Sequence, residues 1–121
     1  MTYMERNFLG DGCLEPENRG LTHFGIQVVR ECNRIGILVD CSHVGIQTTL
    51  DAARHSSKPI VISHAAVRAI ADNPRGLTDD QMKAVAATGG TVGFIPLGPF
   101  IRSDRPATLD DYVDHFEYAL N

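Results

Sequence analysis

Val39-Asp40-Cys41-Ser42-His43 and Val61-Ile62-Ser63-His64 are two short β-branched runs that each close on Ser-His. Between them, over about Val44 to Arg54, Ile46, Leu50 and Ala53 recur on one helical face. Strand, helix and strand in that order form a right-handed crossover unit, which lays the two runs side by side as parallel strands. Both histidines then stand at the carboxyl ends of neighbouring strands. Such strands lie about 4.8 Å apart, and two nitrogens each about 2.0–2.1 Å from a tetrahedral zinc are separated by little more than 3 Å. Two tilted imidazoles at these positions can converge on one ion. Spacing alone leaves the plainer reading open, in which each ring hydrogen-bonds to a nearby loop.

Working outward, Gly10, Gly12, Pro16 and Gly20 punctuate residues 1–20 and mark a loop. Thr22 caps a helix carrying Phe24, Val28, Val29, Cys32 and Ile35, and Gly36 sits at its left-handed stop. Ile37 to Asp40 then reads as a strand buried on both faces. After Lys58-Pro59, Ile60-Val61-Ile62 is the second strand, followed by a short helix over Ala65–Ala71 that breaks at Asp72-Asn73-Pro74. Thr78 and Gln81 spell a capping box for a helix ending at Gly89-Gly90, and Thr91 to Ile95 is the third strand. Thr108 and Asp111 open a last helix whose buried face is Leu109, Tyr112, Val113, Phe116 and Leu120. The alternation predicts an α/β fold with about three parallel strands and flanking helices, part of a barrel or of a doubly wound sheet. Three strands cannot close a barrel, so the pattern reads as one partial domain over 1–121, cut from a larger one and prone to form homo-oligomers.

The 121 residues carry a net charge of −4, with no basic stripe, which argues against nucleic acid as a partner. No apolar run approaches the 18–20 residues of a membrane span, and the first residues lack the basic-then-apolar order of a leader. Cys13, Cys32 and Cys41 have no Cys-x-x-Cys spacing and read as free thiols, which suits a cytoplasmic protein.

The run Arg6-Asn7, Gly10-Asp11-Gly12-Cys13, Glu15, Gly20-Leu21-Thr22 and Phe24-Gly25 resembles the membrane (renal) dipeptidase family. Asn33-Arg34, Gly36, Val39-Asp40, Ser42-His43, Pro59-Ile60-Val61-Ile62-Ser63-His64, Arg75 and Asp79-Asp80 continue the likeness in order and spacing. The resemblance implies a (β/α)₈ barrel of which this chain is about a third. It also implies zinc-dependent hydrolysis of dipeptides by metal-activated hydroxide. His43 and His64 match two histidines that hold one zinc, and Arg75 matches an arginine that takes the free carboxylate of the dipeptide. No His-x-Asp pair for the first metal occurs in the sequence. As aligned, the bridging glutamate falls before Met1 and a later aspartate beyond Asn121, so the chain by itself is expected to be inactive. The alternative is a non-catalytic α/β fragment that acts only with the rest of the barrel.

Other polar residues have plain explanations. His23, His55 and His115 fall on helices near the surface, and Asp110, Asp111 and Asp114 read as a solvated helix face. Glu15 caps a turn. Asp40 either orients a ligand ring or binds a loop, and without the resemblance Arg75 is a solvated loop arginine.

Overall fold

The computed structural model describes all residues, Met1–Asn121. Residues 1–21 form a loop closed on itself by a backbone bridge from Gly10 to Leu21 and tied to the body by one from Gly12 to Val44. Helix α1 (His23–Ile35) begins where the Thr22 hydroxyl accepts the Gly25 N–H at 3.0 Å. It ends at Gly36, whose φ of 78° is the left-handed turn that glycine adopts without strain. Strand β1 (Val39–Asp40), helix α2 (Ile46–His55), strand β2 (Ile60–Val67) and strand β3 (Gly76–Leu77) follow. The chain continues through α3 (Asp79–Ala87), β4 (Thr91–Phe94), α4 (Gly98–Ile101) and α5 (Leu109–Leu120). The Thr78–Gln81 and Thr108–Asp111 capping boxes both form, each satisfying N-terminal N–H groups that the helix leaves free.

Strand β2 organises the sheet. Val39 and Asp40 of β1 pair with its Ile60 and Val61, and Thr91, Val92 and Phe94 of β4 pair along its other edge. Farther on, Ala66 and Val67 pair with Gly76 and Leu77 of β3, and every pairing is parallel. The architecture is a parallel α/β sheet with flanking helices. Ile60 and Ile62 of β2 are fully buried against Val29 of α1, Ala52 of α2 and Val85 of α3, forming the core between sheet and helices.

Five expectations are corrected. The residues after His64 do not turn into a helix: Ala65–Val67 remain in β2, and Arg68 donates its N–H to Leu77 O at 2.9 Å. Cross-strand pairing outweighs the modest helical preference of two alanines. Ile37 and Leu38 are 55% and 60% exposed, so β1 is only two residues long. The Ile37 N–H is spent on Cys32 O at 2.8 Å, still within the turn that ends α1. On α5, Leu109, Val113, Phe116 and Leu120 are exposed; of the expected face Tyr112 does dock, its hydroxyl donating to Phe94 O at 2.8 Å, and the fully buried contacts are those of Asp111 and His115. His115 is fully buried: its Nδ1 accepts the Val67 N–H at 2.9 Å and its Nε2–H donates to Ile101 O at 3.1 Å. Asp111 is buried and paired with Arg105 at 2.7 Å, not solvated.

Candidate metal centre

The site begins with an irregularity in β2. Ile62 pairs with Val92 and Ala65 with Phe94, so three steps along β2 face two along β4, and the extra residue falls at Ser63-His64. Such a bulge bends a strand and re-aims its side chains. Gly93 lies across from it, where a Cβ would sit 2.4 Å from Ser63 O; only glycine permits that approach.

His43 follows β1 and has φ of 66°, one of two non-glycine residues in the left-handed region. Holding a non-glycine residue there costs of order 1–3 kcal/mol and needs support from its surroundings. The loop supplies it: Cys13 donates its N–H to His43 O at 3.0 Å, and the Tyr3 ring stacks on the imidazole with centroids 4.4 Å apart. The result is convergence. His43 Nε2 and His64 Nε2 lie 2.8 Å apart with their rings inclined at 63°.

The loop is itself anchored. Buried Asp11 takes Arg6 Nε at 2.6 Å and the Arg19 N–H at 2.7 Å, while its carbonyl accepts from Gly45 N and Thr48 Oγ1. The hydrogen bond from Arg6 holds its carboxyl below the ordinary range. Glu15 accepts the Arg6 N–H at 2.7 Å from nine residues away, so it ties two limbs of the loop together and does not cap a local turn.

Behind the histidines, Asp40 gathers both serines. Its Oδ1 accepts the Ser42 N–H at 2.8 Å and the Ser63 N–H at 3.3 Å, and its Oδ2 takes the Ser63 hydroxyl at 2.6 Å. Ser63 Oγ in turn lies 2.8 Å from His64 Nδ1. Burial works to raise the Asp40 carboxyl, but the hydrogen bonds from Ser63 and Ser42 together hold it below its ordinary value.

Burial, then the Arg75 charge and His64, pushes the His43 imidazole down to about 4. At neutral pH the ring is therefore uncharged and has a lone pair to offer. His43 Nδ1 is buried without a hydrogen-bond partner. Two imidazole nitrogens facing each other at the ends of neighbouring strands suit a borderline-soft divalent metal ion. They form a two-ligand set: no cluster of three or more His, Cys, Asp or Glu side chains gathers anywhere in the chain.

Arg75 is the second candidate residue of the site. It is 5% exposed, far from a solvated loop side chain. One guanidinium nitrogen donates to His64 O at 3.2 Å, the Phe100 ring lies 5.8 Å from its carbon, and Nε is buried with no acceptor. Burial holds it below the usual arginine value. Arg75 and His43 both line a cavity of about 320 Å³, together with Cys13, Glu15, Arg68 and Gln81. That volume is at the small end of pockets for small molecules.

Sequence spacing anticipated the meeting of His43 and His64; Arg75 was marked only by the resemblance. It missed Tyr3, Phe100 and the serine–carboxylate support. A signal for the last was present, since serine precedes histidine at both strand ends.

A parallel α/β sheet with paired histidines at its strand ends and a buried arginine over an adjoining cavity has the layout of an enzyme active site. The chain belongs to the membrane dipeptidase family (peptidase family M19), whose model matches residues 1–121. It is 38% identical over 106 residues to an uncharacterized dipeptidase of Schizosaccharomyces pombe, covering 85% of this chain and 25% of that protein. An amidohydrolase from Pseudomonas aeruginosa superposes with a TM-score of 0.91 at 38% identity, over 100% of this chain and 37% of the other. A metallo peptidase from Rhodobacter sphaeroides, liganded with a phosphinate mimic of the dipeptide L-Ala-D-Ala, has a TM-score of 0.86 at 28% identity. That match covers 98% of this chain and 36% of the peptidase. The chain thus spans between a quarter and two fifths of these relatives.

Proposed function

We propose that this chain carries part of the active site of a zinc-dependent dipeptidase, with His43 and His64 as ligands to one zinc ion and Arg75 as the clamp for the substrate carboxylate. The observation that carries the reading is the 2.8 Å approach of the two Nε2 atoms beside a buried guanidinium whose Nε has no acceptor. When bound, zinc would polarise the scissile carbonyl and lower the pKa of water.

The remaining work falls to the chain's own residues. A planar guanidinium binds a carboxylate in a two-point fork, and a free carboxylate one residue from the scissile bond distinguishes a dipeptide from the interior of a polypeptide. Phe100 and His64 O hold that guanidinium in place beside the cavity. The Rhodobacter relative is liganded with a phosphinate mimic of a dipeptide, which supports a dipeptide as the substrate class. The three free cysteines suit a reducing cytoplasm, and no helix is long and apolar enough to cross a membrane.

Zinc titration of the wild type, His43→Ala and His64→Ala tests the reading, alongside binding of a phosphinate dipeptide mimic. One zinc per chain, weakened at least tenfold by either substitution, is expected. Equal zinc binding by all three proteins would overturn it.

A further inference from the structure

The hydrogen bonds behind the histidines settle which nitrogen of His64 carries its proton. The backbone N–H of His64 can only donate, and Ser42 Oγ accepts it at 3.2 Å. An ionised carboxylate can only accept, so the Ser63 hydroxyl, 2.6 Å from Asp40 Oδ2, must spend its single hydrogen there. What remains on the Ser63 oxygen is lone pairs. Those face His64 Nδ1 at 2.8 Å and the Ser42 hydroxyl at 3.1 Å, and both of these groups must therefore donate to it. A neutral imidazole has one N–H, so placing it on Nδ1 leaves Nε2 bare.

We infer that Asp40 and Ser63 are positioning residues that lock His64 in the Nδ1–H tautomer and so present Nε2 as a preset metal ligand. This rests on the reading of His43 and His64 as a zinc pair. Asp40 sits on β1 and Ser63 in the β2 bulge, so the relay spans the two strands that carry the histidines. It also explains why the bulge matters: a regular strand would not bring Ser63 Oγ and the His64 ring to the same side.

The two ligands consequently differ. With His64 Nε2 bare, the metal-free contact at 2.8 Å requires a proton on His43 Nε2, since two lone pairs would repel at that distance. His43 Nδ1 then needs no acceptor, in agreement with its lack of any partner. His64 is ready for the ion, whereas His43 must shift its proton to Nδ1 when the ion arrives.

Nitrogen-15 NMR of the metal-free wild type above neutral pH reads the tautomer directly, without any variant having to fold. Protonated Nδ1 on His64 and protonated Nε2 on His43 are expected. Ser63→Ala and Asp40→Asn should move His64 toward the other tautomer and weaken zinc roughly 10–100-fold, the usual loss when such outer partners are removed. Ser63→Thr, which keeps the hydroxyl, should restore both properties. A wild-type His64 protonated on Nε2, or a folded Ser63→Ala with unchanged tautomer and zinc affinity, overturns the inference. His43→Ala separates it from the underlying reading: unchanged zinc binding in that variant would remove the zinc pair itself, whatever the tautomer.

Discussion

Replacing Arg75 by methionine should make the protein more stable and less able to bind a carboxylate. Arg75 is almost wholly buried, yet only one of its donors meets an acceptor inside the chain, His64 O at 3.2 Å. That charged hydrogen bond is worth about 1.5–3 kcal/mol, and the Phe100 ring adds about 0.5–1 kcal/mol. Against them stands the unmet Nε, at about 1–3 kcal/mol. The larger opposing cost is taking the guanidinium itself out of water, several kcal/mol even after relaxation. Methionine retains much of the volume and removes the charge. The balance is a net gain of about 1 kcal/mol, near 4 °C in melting temperature for a chain of this size. Urea denaturation followed by circular dichroism measures it, and the gain should appear as a higher midpoint at unchanged slope. A phosphinate dipeptide mimic should raise the melting temperature of the wild type and leave the variant unmoved. If Arg75→Met loses 1 kcal/mol or more, or if the mimic still stabilises it, Arg75 is a structural pin and the clamp assignment fails.

Gly93→Ala should cost about 1–3 kcal/mol, the usual penalty for forcing atoms into a packed site, because the new Cβ would lie 2.4 Å from Ser63 O. Zinc affinity should fall with it as the bulge shifts, and calorimetric titration that found stability and zinc binding both intact would contradict the role given to this glycine. His115→Ala strands the buried Val67 N–H and Ile101 C=O, at about 1–3 kcal/mol each, in addition to leaving a cavity. Urea melts should show a loss of several kcal/mol, whereas a loss under 1 kcal/mol would mean that α5 is held elsewhere. Asp11 and Asp111 are both held below the ordinary carboxylate value of 3.8, chiefly by hydrogen bonds from Arg6 and Arg105. Their contribution to stability is therefore fully present above about pH 4–5 and drains away as pH falls through the folded values. Thermal melts from pH 6 to pH 2 should drop below pH 4, and Arg105→Gln should flatten part of that slope; an unchanged slope would place the acid sensitivity on other groups.

What could be read in the chain was local. Both capping boxes, the Thr22 cap and the Gly36 stop depend on residues within a few positions of one another, and the crossover that sets His43 beside His64 lies within one strand–helix–strand unit. The misreadings share a different cause. Ala65–Val67 stay extended because Phe94, Gly76 and Leu77 arrive to pair with them, and His115 is buried by partners at Val67 and Ile101. The bulge that aims His64 exists only in relation to β4, so nothing in Ser63-His64 itself could disclose it. Arg75 has the same character: a loop arginine by sequence, it is buried because Phe100 and His64 O close around it.

Anomalous diffraction at the zinc edge, from crystals of this chain grown with stoichiometric zinc, shows whether the two imidazoles share an ion. One peak is expected within bonding distance of both His43 Nε2 and His64 Nε2, about 2.0–2.1 Å from each. A peak at the cysteines or elsewhere, with the two imidazoles still facing each other at hydrogen-bond distance, would contradict it.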